Sequence, residues 1–205
     1  MPTQTGAVLE PMFLPDVEAN PQPSGYLNLI ERARAQGQEN WQIWNLFAFR
    51  PEMTVHMGRF THAVMHEPGP IRPALRELIA TYTSSLNNCE FCMRSHAAVT
   101  SHLIDEATVA AVLRDLDSAP IPDAEKLLLH FTRKVTLDSA NITPRDLEPL
   151  RVAGWDDAAI YYAITVTALF NFYNRWVSSS GVHAVSHEGH RVHGSLIAER
   201  GYVRA

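Results

Sequence analysis

The chain has 205 residues, of which 46% are hydrophobic and 19% charged, with a formal net charge of -5; that is enough apolar mass for one domain to build a core without staples. Its Lys and Arg residues are scattered, so there is no basic stripe to neutralise phosphates and no polybasic patch for an anionic membrane, which excludes nucleic acid and membrane surfaces as partners. The opening stretch lacks a charged region followed by an apolar one, and the longest apolar-rich run, Ala158 to Phe170, is shorter than the roughly 20 residues of a spanning helix, so the expected compartment is the cytoplasm.

Proline and glycine punctuate the chain into helices. Residues 1–23 hold five prolines and little periodicity, and are expected to form an extended arm ahead of a single domain over residues 24–205. Tyr26, Leu29, Ile30 and Ala33 recur at helical spacing and predict a helix from about Gly25 to Gln36. Trp41 to Phe49 is a second apolar segment, and Pro51 suits the first turn of a helix running to about His66. Pro73 opens a helix that carries Glu77 and ends near Ser85, and a helix from about Cys89 to Leu103 follows. Asp105 caps a short helix, Pro122 precedes another that begins at Asp123, and Thr143-Pro144 starts one that stops at Gly154. The longest element is predicted from Asp157 to about Ser179, and a weaker helix, interrupted by Gly189 and Gly194, from Ser186 to Glu199. No alternating strand pattern bounded by hairpin turns occurs, so the predicted class is all-α with about eight helices and short connections.

The chemistry is concentrated in RELIATYTSSLNNCEFCMRSH, which places Glu77, Cys89, Cys92 and His96 in the spacing E-x11-C-x2-C-x3-H. Cys92 and His96 are four apart and share one face of a helix, while Glu77 lies on the preceding helix and can fold back over them. Three readings compete for the cysteines. A redox dithiol would use a helix N-terminus and His96 to generate a thiolate, and the second thiol would condense with a sulfenic acid on the first. Cys89, Cys92, His96 and Glu77 could instead form a four-ligand zinc set, although the chain has no further cysteine to build the usual closed site. Or the pair could be two buried cysteines acting as small hydrophobes.

The block Arg76-Glu77-Leu78, followed by Cys89-Glu90-Phe91-Cys92 and Ser95-His96, resembles the catalytic segment of the carboxymuconolactone decarboxylase and AhpD-like superfamily. The likeness is to its alkylhydroperoxidase-like, peroxidase-related branch. It is strongest from about Pro70 to Thr100, and FNFYNRWVSSSG at residues 170–181 is similar to a segment near the end of such proteins. True carboxymuconolactone decarboxylases lack the cysteine pair, so the resemblance implies a hydroperoxide reductase rather than a decarboxylase. It implies that Cys92 attacks the peroxide, that Cys89, nearer the surface, resolves, and that Glu77 and His96 relay the proton of Cys92. One departure matters: well-studied members carry a histidine just before the second cysteine, where this chain has Phe91. The resemblance further implies an AhpD-like helical bundle assembled as a dimer, trimer or hexamer; the chain itself shows no flavin or nicotinamide fingerprint and too few ligands for a closed zinc site, so no cofactor or metal is expected. Its reductant would be a lipoylated or thioredoxin-type protein. Two alternatives stand beside this reading: a carboxymuconolactone decarboxylase-like lyase in which Glu77 and His96 move protons, and a non-catalytic oligomeric module with a redox-sensing or zinc-holding dithiol.

Other features have more ordinary readings. His183, His187, His190 and His193 recur at three- and four-residue steps and are expected on a polar surface or subunit-contact helix rather than at a metal. His56, His62, His66, His102 and His130 are scattered and read as structural. Trp41, Trp44, Phe47 and Phe49 are at the spacing of core or interface aromatics. Asn171, Asn174 and Arg175 close a very apolar helix, which means either a lined pocket or a helix end emerging into water.

Overall fold

The computed structural model describes residues 10–202, and among them there are helices and no strand. In chain order the helices are α1 (Pro15–Ala19), α2 (Gly25–Ala35), α3 (Ile43–Phe49), α4 (Pro51–Met65), α5 (Pro73–Leu86), α6 (Glu90–Leu103), α7 (Glu106–Arg114), α8 (Asp123–Asp138), α9 (Pro144–Val152), α10 (Asp157–Ser179) and α11 (His187–Arg200). The all-α class is as predicted, but there are more helices than the expected eight or so. The described part of the arm is also not wholly extended, because Pro15 begins the short helix α1; residues 1–9 of it lie outside the described residues.

Local chemistry sets the helix ends. Ser24, Asp105, Asp156 and Ser186 each accept a hydrogen bond from a backbone N–H in the first turn of the helix that follows. Thr143 and Asp146 form a capping box, and prolines occupy the first turn of α4 and α5.

The α5–α6 connection matters most. Asn88 takes a left-handed conformation (φ 53°), its N–H donates to Ser85 O at 3.0 Å, and the Cys89 N–H donates to Ser84 O at 3.0 Å. This is a Schellman ending to α5, with asparagine in the position usually held by glycine. Cys89 closes that motif and is at once the N-cap of α6. The chain therefore reverses within a few residues, and α6 packs antiparallel on α5 with Glu77 facing its second turn.

Two apolar cores meet at this hairpin. The larger includes Leu75, Leu78 and Ile79 of α5, Leu128 and Leu129 of α8, and Val166 and Phe170 of α10. The smaller gathers Ile30, Trp41, Trp44, Phe91 and Val177 with both cysteines. Helix α11 lies along α6, and Gly194 permits the approach: a Cβ there would meet the Cβ of Ala98 at 2.9 Å. The glycine that weakens α11 on propensity is thus what lets it dock. At the α4–α5 turn the buried Arg76 guanidinium donates to the carbonyls of Ile71 (2.6 Å), Val64 (3.0 Å) and Glu67 (2.7 Å), so the residue before Glu77 ties α5 to the end of α4.

Candidate active site

The hairpin brings the four predicted site residues to one region as two pairs. Glu77, 3% exposed, and His96, 9% exposed, meet across α5 and α6 with Oε2 to Nδ1 at 2.8 Å. The imidazole is held edge-on by Phe170, ring centroids 4.4 Å apart. Cys89 and Cys92 are both buried free thiols, so Cys89 does not stand out as the sulfur nearer the surface. Among the described residues no three or more His, Cys, Asp or Glu side chains converge as a metal site, and the four-ligand zinc reading loses its geometry.

The two sulfurs have different environments. The Cys92 thiol donates to Cys89, and this is the largest influence holding the Cys89 thiol down to about 6 from its usual 9.0; the Ser178 hydroxyl, the Cys92 backbone N–H and the Asn174 amide act in the same direction, against the cost of burial. Cys92 moves the opposite way, pushed well up by its bond to Cys89 and then by burial. The thiolate therefore rests on Cys89, at the start of α6, while Cys92 keeps the proton.

Access runs opposite to charge. An apolar cavity of about 80 Å³ is walled by aromatic rings, Trp41, Trp44, Phe47, Phe91, Phe170 and Tyr173 among them, and Cys92 and His96 line it whereas Cys89 does not. The hydroxyls of Thr61, Tyr173 and Ser95 are already committed. Thr61 donates to Met57 O (2.8 Å) and so accepts from Tyr173 (2.7 Å). Ser95 donates to Phe91 O (2.7 Å) and so accepts from His190 Nδ1 (3.2 Å). Cys92 and His96 thus place a thiol and an imidazole in a wall otherwise built largely of aromatic rings.

Several participants were not assigned by sequence reasoning. Trp41, Trp44 and Phe47 are core residues as expected, yet they also face the cavity. Of the three polar residues near the end of α10, Asn174 is buried and its amide touches both thiols, held by Ser84 (2.9 Å) and Asn87 (2.9 Å); Arg175 is exposed and bonds back to Asn171 O at 2.7 Å. Asn174 is thus a buried partner of the thiols rather than a cavity wall, and the helix-end account holds for Arg175. His190 and His193 correct the surface-helix expectation, because both are buried as α11 docks on α6, with His193 Nε2 donating to Glu39 O at 2.6 Å; His187 is exposed as expected. Tyr202, whose hydroxyl donates to Glu77 Oε1 at 2.6 Å, carries no signal in the sequence.

Comparison with known proteins bears on the family and the fold. The model of the carboxymuconolactone decarboxylase family matches residues 51–132, a stretch that holds Glu77, both cysteines and His96. An uncharacterized peroxidase-related protein from Silicibacter sp. TM1040 has a similar structure (TM-score 0.73, 26% identity, 92% of this chain and 96% of that one). So does an uncharacterized peroxidase-related protein with an alkylhydroperoxidase AhpD core from Ralstonia eutropha JMP134 (TM-score 0.72, 23% identity, 94% and 96%). A cysteine-to-alanine variant of the debrominase Bmp8, in complex with 2,3,4-tribromopyrrole, shares the fold at 18% identity (TM-score 0.64, 94% and 97%). Comparison with curated proteins gave no match. The dithiol hairpin thus lies in a segment, residues 51–132, that matches the carboxymuconolactone decarboxylase family, and the whole chain shares its fold with AhpD-like peroxidase-related structures.

Proposed function

We propose that the chain is a dithiol peroxidase that reduces small apolar organic hydroperoxides. The observation that carries this reading is the division of labour between the sulfurs: Cys92 and His96 share an apolar cavity, while Cys89 sits behind them as a stabilised thiolate. The two thiols exchange a proton across their hydrogen bond, so the first deprotonation belongs to the pair rather than to either sulfur. When the proton passes to Cys89, the Cys92 thiolate attacks the terminal peroxide oxygen, the O–O bond breaks, and the leaving alkoxide takes a proton from the relay as an alcohol. The sulfenic acid on Cys92 then condenses with Cys89, forming the disulfide and releasing water. In sum, two thiols and one hydroperoxide give one disulfide, one alcohol and one water. His96, oriented by Glu77, moves the protons.

The cavity supports the substrate class. It offers no cation to a charged substrate, and its volume is well below the roughly 150 Å³ of an engineered apolar cavity that admits benzene. A compact alkyl hydroperoxide fits such walls better than a charged or polyhydroxylated one. The disulfide would be returned to dithiol by a lipoylated or thioredoxin-type protein in the cytoplasm. Assembly with further copies of the chain would use exposed apolar residues of α10 such as Tyr161 and Phe172. No helix among the described residues is long and apolar enough to cross a membrane.

The debrominase among the similar structures motivates a second two-electron reaction, in which the cavity would have to widen and the dithiol reduces an aryl halide to the arene and hydrogen halide, again ending as a disulfide. A free-thiol count separates the readings. One equivalent of tert-butyl hydroperoxide should consume both thiols and yield one equivalent of alcohol. Retention of both thiols with peroxide, but loss with a halogenated pyrrole, would transfer the assignment to dehalogenation. A decarboxylase-like lyase would keep its activity after both thiols are alkylated.

A further inference from the structure

The chain returns to the relay after α11. Gly201 takes a left-handed conformation (φ 69°), and a side chain there would run into the ring of His62, so glycine is required where the backbone turns. The Tyr202 N–H then donates to His62 Nδ1 at 3.1 Å, which anchors the tail and brings the Tyr202 ring beside His96, interplanar angle 21°. The hydroxyl reaches Glu77 Oε1 at 2.6 Å and lies 3.3 Å from His96 Nδ1.

Counting protons fixes the state of the imidazole. A carboxylate only accepts, and Tyr202 has one hydroxyl proton, which it gives to Oε1. The bond between Glu77 Oε2 and His96 Nδ1 must then carry the proton of the imidazole, and so must any sharing between Nδ1 and the tyrosine oxygen. In the neutral ring the lone pair is then on Nε2, at the other side. The two carboxylate oxygens are thus held from two sides, by α6 through His96 and by the tail through Tyr202, and Glu77 has no freedom to rotate away.

We propose that Tyr202 is a positioning residue of the proton relay: its hydroxyl clamps Glu77 so that His96 is held as the Nδ1–H tautomer with Nε2 available as the base. The assignment rests on the dithiol peroxidase reading, but the state of His96 can be read independently of peroxide turnover. In the reduced wild-type protein, ¹⁵N-correlated NMR of the imidazoles should show His96 protonated on Nδ1 at neutral pH; the opposite tautomer would overturn the proposal without any variant. Tyr202→Phe keeps the ring against His96 and removes only the hydroxyl. It should leave the thermal midpoint in place, mix the His96 tautomers, and slow Cys92 alkylation at neutral pH about tenfold, the scale of one hydrogen bond to a charged group. In the Glu77→Gln background the same substitution should add nothing, because its target has gone. A wild-type tautomer signature in Tyr202→Phe, or an equal loss in the Glu77→Gln background, would show that the hydroxyl acts elsewhere. If instead the thiol count of the wild type does not respond to peroxide while the tautomer results stand, it is the peroxidase reading that fails.

Discussion

The thiol of Cys92 donates to the sulfur of Cys89, and Cys92 is the one of the two that reaches the aromatic cavity. Charge and access thus reside on different atoms of one hydrogen-bonded pair. This differs from a lone activated cysteine, whose thiolate is both the stabilised and the exposed species, and it gives each cysteine variant its own signature. Cys92→Ser should abolish hydroperoxide turnover, since the remaining thiolate has no substrate path. Cys89→Ser should react once and stop as a sulfenic acid on Cys92, more slowly than wild type because the proton acceptor is lost. Trapping with a sulfenic-acid reagent followed by peptide mapping distinguishes these outcomes, and an adduct on Cys89 in the Cys92→Ser protein would reverse the roles.

The same pair makes stability depend on pH. Cys89 releases its proton at about 6 in the fold and near 9.0 ordinarily, so between those values the unfolded chain binds more protons than the native one. Stability of the reduced protein should therefore rise with pH across this window, by at most about 1.4 kcal/mol per unit, and be lost as pH falls through about 6. The raised Cys92 acts with the opposite sign, but only above the usual thiol value. Urea midpoints measured under reductant from pH 6 to 9 should climb more steeply for wild type than for Cys89→Ser. Parallel curves would mean that Cys89 holds no thiolate.

Asn174 gives a third test. Its amide touches both sulfurs and is itself fixed by Ser84 and Asn87. Asn174→Leu keeps the approximate volume but removes the donor and orphans its partners. It should move the pH profile of thiol alkylation to the alkaline side and cost about 1–3 kcal/mol of stability, as for other buried groups left without partners. An unchanged alkylation profile would reduce Asn174 to a helix-packing residue.

What the sequence could disclose follows from the range of the interactions. Helix starts were legible because Asp105, Thr143 and the prolines act within a turn of themselves, and the Glu77–His96 pairing was legible because one antiparallel hairpin of short connection joins them. Asn174 could be seen only as an ambiguous polar residue, since its partners Ser84 and Asn87 lie on another helix. The burial of His190 and His193 depends on how closely α11 approaches α6, which Gly194 decides by contact with Ala98, and no periodicity within α11 records that. Tyr202 was invisible for the same reason: its role is set by contacts with His62 and Glu77, from α4 and α5. The two-sided character of the dithiol was equally hidden, because C-x2-C spacing says that two sulfurs can meet but not which one faces a cavity.

The docking of α11 should be the acid-sensitive joint of the molecule. Burial, followed by the charge of Arg94, pushes the His190 imidazole down to about 3 from its usual 6.5, and burial lowers His193 as well. Between about pH 3 and 6.5 the unfolded chain binds the proton that buried His190 refuses, so stability falls as the pH drops below about 6.5. His190→Gln should flatten that acid limb. Midpoints of urea unfolding between pH 4 and 7 check it, and an acid limb of unchanged slope in the variant would place the sensitive group elsewhere.

The last prediction concerns Glu77, whose carboxylate meets His96 Nδ1 at 2.8 Å and is itself 3% exposed. A carboxylate in that position orients the imidazole and stabilises the imidazolium that forms when His96 takes a proton, as the third member of a catalytic triad does. Glu77→Gln is nearly isosteric and leaves the Arg76 anchor of α5 in place, so the fold should persist. The amide, however, offers one acceptor oxygen where two donors, His96 and Tyr202, now bond, and its NH₂ faces one of them donor to donor. Proton transfer through His96 should then slow, with general-base assistance of this kind typically worth about 10²–10⁴-fold. The measurement is the pH dependence of Cys92 modification by iodoacetamide in wild type and variant, read by peptide mapping so that Cys89 is scored separately. The variant curve should lie to the alkaline side with a lower neutral rate. If the two curves superimpose while both proteins remain folded, Glu77 is a buried structural acid and His96 acts, if at all, without it.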